Sequence, residues 1–529
     1  MKRCLTMVMA MLFVLTSLCV SATAETIGVN MVDWEIGDRI LSAMGTGETT
    51  TENRWHKLLR EEYGIDVNYL WTASEGEYSE KLGMSLASGD LPDVIPFTSI
   101  NQLHQAYDAG YLQDLSGVFD EYASDLLKEI YAYDENASFN KVTFDGFVSA
   151  FPGVVPAYDN NPILYIRQDW LDNLGLAKPT NVAELVEVIR AFTEDDPDGD
   201  GVNDTYGLSV GSSLDQGYGL MMGLAAAFDA YPNCWMADNE GKVFYGSVEP
   251  EMKDFLALMN DMYEKGYIHP EFYTKNGSNL LEDITAGNVG VVYSLSWFPW
   301  IAQAGHNLDG AMWYAYPLVS QKTGEIAPTP LSSGVHAYYA VRDGYEHPEV
   351  VVLMANAMVE QIWGESEEGA GYWFGTGDTE GIWQLAPVAL LHPMNNFLIY
   401  QGFQKITETG SLENVFELSK SYYESCRKYR EENDEANWAC EYVMSDNPYS
   451  SNAANQTTFD AGVGVFRLST WTQASSDYSD VLTQIINPVI TKIITGELEM
   501  DAFDAAVEEW LANGGQVYLD EYQAWYNAL

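Results

Sequence analysis

Apolar residues recur along this chain in two alternating rhythms, one of period two and one of period three to four. Residues 26–32 read as a strand. Residues 53–63 carry Trp55, Leu58, Leu59 and Tyr63 on one helical face, with Gly64 as the stop, and 65–71 read as a second strand. A helix over 75–88 follows, striped by Tyr78, Leu82 and Leu86 and ended by Gly89, and 93–97 form a third strand. A β-α-β-α-β order dictates a parallel sheet with helices on its faces.

From 144 to 179 loops dominate, around one marked strand at 163–167. Asn181 with Glu184 three residues on predicts a capping box, and Val182, Leu185, Val186, Ile189 and Phe192 share the face of the helix it opens. Further on come an amphipathic helix over 252–267 and a strand over 290–295 that leads into Ser296-Trp297-Phe298-Pro299-Trp300. A short strand at 338–341 precedes a mainly helical region, which an aromatic, loop-rich stretch at 363–383 interrupts. A helix over 500–511, a break at Gly514-Gly515 and a last helix over 518–529 close the chain.

A chain of 529 residues exceeds one core, so two or more domains are expected. Lys2 and Arg3, an apolar run over 5–20 and Ala22-Thr23-Ala24 predict a signal peptide cleaved after Ala24, hence an exported protein. Lipid attachment at Cys19 is the less favoured reading, because Leu18 is bulky where lipoprotein signals carry a small residue. Cleavage removes two of the 25 basic residues and none of the 78 acidic ones, taking the formal net charge from −53 to −55. Such a surface repels nucleic acid and anionic lipid. Cys234, Cys426 and Cys440 remain, which permits one disulfide, Cys426 to Cys440, or three buried thiols. Neither CxxC nor HExxH occurs, so no zinc site is expected.

The acids at 193–208 are spaced rather than merely abundant. Asp196, Asp198, Asp200 and Asp204 fall at positions 1, 3, 5 and 9 of a loop with Gly201 at position 6, the front half of an EF-hand-type Ca²⁺ loop. Position 12 is Gly207 in place of a bidentate Glu, so Asp204 and the Val202 carbonyl have to complete the shell.

Taken together, these segments resemble the extracellular solute-binding proteins of ABC importers, the family 1 group that includes the alginate-oligosaccharide binders. The pieces that carry the resemblance span nearly the whole mature chain. They are Leu86-Ala87-Ser88-Gly89-Asp90-Leu91-Pro92-Asp93, Arg167-Gln168-Asp169-Trp170-Leu171, the acidic loop ending Asp204-Thr205-Tyr206-Gly207, the return strand at 287–292, His347-Pro348-Glu349 and Trp525-Tyr526. The resemblance implies an α/β, two-lobe periplasmic-binding-protein-like fold of type II, with a multi-crossing hinge and an interlobe ligand cleft. It divides the chain into lobe 1 at 25–155 and 289–345, and lobe 2 at 156–288 and 346–529. It implies a structural Ca²⁺ held by Asp196, Asp198, Asp200, Val202 and Asp204, with Thr205 standing where some members add an acidic ligand. It also implies a monomeric, non-enzymatic receptor that passes an oligosaccharide to ABC permease subunits.

Sugars present hydroxyl edges and C–H faces, so a sugar cleft pairs flat aromatic rings with carboxylate and amide acceptors. Trp297 is the foremost candidate platform, with Trp300, Trp71, Trp373 and Trp383 beside it, each of which reads equally as a core residue. Tyr158, Asp159 and Asn160 before the strand at 163–167, and Asp378 near Trp373, are candidate acceptors, against the plainer reading of solvated loop acids. Another solute class, such as peptide, and a secreted glycan-cleaving enzyme are the alternatives. No nucleotide loop or nucleophile elbow supports the enzyme.

Overall fold

The computed structural model describes residues 26–35, 47–133, 137–215, 218–331, 334–364, 369–374 and 382–529. The expected signal segment with Cys19, and Asp378, lie outside them. Nine strands form two sheets: β1 (Ile27–Glu35), β2 (Ile65–Ser74), β3 (Val94–Phe97), β4 (Phe151–Val154), β5 (Ile163–Arg167), β6 (Tyr206–Ser209), β7 (Val289–Ser294), β8 (Trp313–Tyr316) and β9 (Val335–Val341). The first sheet has the order β2-β1-β3-β9-β4 and the second β8-β5-β7-β6. β1 pairs in parallel with both β2 and β3, as the alternating rhythm predicts, while β9 enters antiparallel between β3 and β4.

Burial explains the composition of these strands. β5 and β7 are buried along their whole length, because helices cover both faces of the second sheet. Leu164 and Ile166 pack in one core with the helix Val182–Glu194, whereas Ile163 and Tyr165 pack in another with the helix Phe298–Asp309. Edge strand β2, by contrast, starts with buried and exposed residues in alternation. The helix Val182–Glu194 opens with the Asn181 side chain accepting the Glu184 N–H at 2.9 Å. The Glu184 carboxylate turns back to the N–H and hydroxyl of Thr180, at 2.8 and 2.7 Å, so half of the expected capping box goes to the neighbouring residue.

Sheet pairing redraws the lobe boundaries. β7 and β8 both hydrogen-bond to β5, which places 289–316 in the second lobe and not in the first. The helix Val350–Trp363 fills the first core together with Val29, Met31 and Tyr339, as do Ile399, Phe403 and Leu418, so this part of 346–529 belongs to the first lobe. The long helix Gln473–Ile494 and the C-terminal helices return to the second core.

The chain crosses between the lobes at 155–162, again between β8 and β9, and again on the approach to Gln473. The last two crossings pair with each other, Thr329–Leu331 lying parallel to Gly464–Phe466. The helix Trp438–Met444 is buried at all seven residues: Cys440, Val443 and Met444 join the first core, and Trp438, Ala439 and Tyr442 join a core of the second sheet. No helix among the described residues is long and apolar enough to cross a membrane.

Candidate binding cleft and acidic loop

The parallel strands β1, β2 and β3 end at the edge of the first sheet where β9 begins, since Tyr338 pairs with Phe97 and Val341 with Val94. In the second sheet β6 and β7 end where β5 begins, since Ser294 pairs with Ile163. The crossing at 155–162 joins these two edges, which makes the loops at the strand ends the place for a ligand.

On that crossing the turn Ala157–Asp159 carries two of the predicted acceptors, Tyr158 and Asp159, and Asn160 follows it. The Asp159 carboxylate accepts from Asn396 Nδ2 at 2.6 Å, and its carbonyl accepts from Ser296 N and Oγ at 3.4 and 3.1 Å. This brings Asp159 beside Trp297, which follows Ser296 at the start of the helix Phe298–Asp309. The Trp297 indole is half-buried and meets Tyr218 edge-on, with centroids 5.5 Å apart and planes at 84°. Tyr158 is held by its neighbours: its ring sits against Phe397 and Phe459, and its carbonyl accepts from Asn455 at 2.9 Å.

In the first sheet, Asp33 and Trp34 stand at the carboxyl end of β1. Trp34 meets Tyr78 and His336 edge-on at 5.4 and 5.5 Å. Burial raises the Asp33 carboxyl to about 7 against the opposing Trp34 N–H, and raises Asp159 to about 7 against the Asn396 amide. Desolvation likewise lowers His336, although its side chain is open to solvent. All three groups are reachable by water yet hemmed in by protein, as expected at the walls of a recess.

The Asp159 shift has a testable sign. A carboxyl raised from 3.8 to about 7 keeps a proton in the folded state that the unfolded chain gives up, so its contribution to stability falls as pH rises through that window. The unfolding free energy of the wild type minus that of Asp159→Asn is therefore expected to decline between about pH 4 and 7 in urea titrations. A difference independent of pH would show an ordinary surface acid.

Other predicted residues go elsewhere. Trp373 is withdrawn from solvent in the first core: its indole N–H donates to Tyr422 at 2.7 Å, and Trp383 stacks on it at 5.9 Å. Trp300 is wedged between the cores of both lobes. Trp71 lies under the Lys81 ammonium, 4.6 Å from the ring centre, and lines a shallow groove with Thr51, Glu52 and Asn68 along edge strand β2.

Sequence reasoning missed Asp33 and Trp34 because it ended the first strand at Val32; the strand-end rule that singled out Trp71 applies to them equally. It also missed a cavity of about 240 Å³ in the second lobe, lined by Asp215, Asn233, Trp235, Tyr245, Trp510 and Tyr518. Asp215 there is raised by burial, accepts from Asn233 at 3.1 Å and faces Arg467 at 3.7 Å.

The acidic loop follows the helix Val182–Glu194. One oxygen from each of Asp196, Asp198 and Asp200 lies within 4.8 Å of the others. Asp196 Oδ2 accepts from Gly201 N at 3.1 Å, with Gly201 at φ +83°, while Asp196 Oδ1 is shut off from solvent without a hydrogen-bond partner. Desolvation raises the Asp198 carboxyl, and the adjoining Asp200 and Asp196 add to the shift. An orphaned oxygen in a set of crowded carboxylates suits a hard divalent cation. Asp204 is exposed and outside this group of three, and the buried Thr205 hydroxyl donates to the Phe192 carbonyl. Asn173 fixes the near end of the loop through the Pro197 carbonyl at 3.0 Å.

Residues 48–361 match the family described as bacterial extracellular solute-binding proteins. The polygalacturonan/rhamnogalacturonan-binding protein YtcQ of Bacillus subtilis is 24% identical over 461 residues, which cover 84% of this chain and 82% of that one. Among solved structures, an EF-hand mutant of the Streptococcus pneumoniae ABC-transporter substrate-binding protein FusA in complex with fructo-nystose superposes with a TM-score of 0.63 at 17% identity, covering 95% of this chain and 99% of that one. The alginate-binding protein AlgQ2 without calcium ion gives 0.62 at 14%, covering 95% and 98%. These likenesses establish the two-lobe fold.

Proposed function

This chain belongs to the bacterial extracellular solute-binding proteins, and we propose that it captures an oligosaccharide outside the cell and delivers it to the membrane subunits of an ABC importer. One observation carries the reading: Trp297 and Asp159, at the strand ends of the second sheet and on the crossing, and Trp34 and Asp33, at the end of β1 in the first sheet, offer rings for sugar faces beside carboxyls for hydroxyls at the two sheet edges that the crossing joins. Asp159 lies on a hinge crossing and is tied to Ser296 of the second lobe and to Asn396, so lobe closure about 155–162 would tighten the acceptors around a bound sugar. YtcQ and FusA, whose names and bound ligand are carbohydrate, support the substrate class.

Isothermal titration calorimetry across a panel of neutral and acidic oligosaccharides should find saturable binding by at least one. Binding confined to a peptide panel would overturn the reading. Chromatography after prolonged incubation should return the saccharide intact, whereas shortened products would convert the receptor into a glycosidase.

Asp196, Asp198 and Asp200 would hold a structural Ca²⁺, with Asp204 and the Val202 carbonyl drawn in as the loop closes on the ion. FusA, solved as an EF-hand mutant, and AlgQ2, solved without calcium ion, support it. The ion would offset most of the charge of three crowded carboxylates and clamp the loop between Asn173 and Phe192. Chelation should lower Tm, since a ligand at a hundredfold excess over its Kd stabilises the folded state by about 2.7 kcal/mol. Asp198→Ala should remove the response to Ca²⁺. An unchanged Tm with and without the ion would leave the loop a metal-free turn.

A further inference from the structure

The first core holds two thiols that the cleft does not use. Cys426 on the helix Glu417–Glu432 and Cys440 on the helix Trp438–Met444 are both buried, and their Sγ atoms lie 3.3 Å apart. The remaining thiol among the described residues, Cys234, is buried in the other lobe against Met222, so no competing pair exists among them. We propose that Cys426 and Cys440 form a disulfide in the exported protein, closing a loop of 13 residues and fastening the shared helix Trp438–Met444 to the first lobe.

The surroundings favour this partner choice. Arg430, one turn beyond Cys426, binds the Glu441 carboxylate next to Cys440 at 2.8 and 3.0 Å, which sets the two helices in register before any covalent bond forms. Bonding closes the gap from 3.3 Å to a separation of about 2.05 Å. The oxidant is a disulfide, either oxidised glutathione or an extracytoplasmic thiol oxidase. A Cys thiolate attacks one of its sulfurs and expels a thiolate, giving a mixed disulfide. The second Cys thiolate then attacks the protein sulfur of that bond and expels the other thiolate. Two protein thiols lose two protons and two electrons, and the oxidant disulfide becomes two thiols.

The attacking species is a thiolate, and burial together with the neighbouring Cys440 holds Cys426 protonated in the folded chain. The bond therefore forms while the chain is still folding, and the finished core then shields it from reductant.

The test starts from reduced, denatured mature protein, refolded with a reduced/oxidised glutathione mixture, denatured again and alkylated with N-ethylmaleimide for mass spectrometry. The expected result is one adduct, at Cys234, with a proteolytic fragment linking 426 to 440. Three adducts, or a glutathione adduct on either cysteine, would overturn the proposal. Protein refolded in dithiothreitol should melt roughly 3 °C below the oxidised form. Equal melting of the two forms would also overturn it. The double variant Cys426→Ala, Cys440→Ala serves as control and should melt identically in both conditions.

Discussion

Replacing Trp297 with alanine is expected to weaken saccharide binding by roughly 30-fold, about 2 kcal/mol, the loss seen when a central aromatic anchor is truncated. The indole sits at the carboxyl end of β7, half-buried, and braced edge-on by Tyr218 so that its orientation is set before a ligand arrives. A ring held this way gives up little conformational entropy on binding, and its face is what alanine removes. Stability should change little, because Trp297 occupies the cap position of the helix Phe298–Asp309 without contributing a side-chain cap. Trp300 gives the opposite pattern. It lies three residues on but between two cores, so its truncation should lower Tm through lost packing. Calorimetry on Trp297→Ala with the best saccharide of the panel decides the matter; wild-type affinity would remove Trp297 from the cleft.

A large loss of stability from a single added methyl group is expected at Gly207. A Cβ there would stand 2.1 Å from the Ile189 carbonyl oxygen and 2.7 Å from its carbonyl carbon. Both contacts are to backbone, so no rotamer change can relieve them, and either the helix Val182–Glu194 or β6 must move. The cost should reach at least about 3 kcal/mol, the upper end for overpacking a well-filled core. The same close approach explains why position 12 of the acidic loop carries no Glu. By Gly207 the chain is already a strand, its N–H donating to Thr193 at 2.9 Å, and there is no room for a longer side chain. Urea unfolding of Gly207→Ala within 0.5 kcal/mol of wild type, the usual range for a surface change, would refute the argument.

Local signals in the sequence were sufficient for features fixed by neighbouring residues. The parallel order of β1, β2 and β3 follows from strand-helix alternation, the helix ends at Gly64 and Gly89 from left-handed glycines, and the acid cluster from spacing. Features fixed by distant partners were not legible. β7 and β8 were placed in the wrong lobe because their pairing with β5 spans more than a hundred residues and leaves no local mark. Trp373 looked like a loop residue because Tyr422, its hydrogen-bond partner, is 49 residues away. In the candidate site, Trp297 and Asp159 could be reached from strand ends and loop chemistry. Asp33 and Trp34 were lost to a boundary error, since β1 continues to Glu35.

The helix Trp438–Met444 contributes residues to the cores of both lobes and shows none of its seven to solvent. One core of each lobe is therefore joined to the other through this helix. A gene cut between them would yield fragments with raw apolar surface rather than modules, and heat should dismantle the receptor in one cooperative step, however freely its cleft opens and shuts.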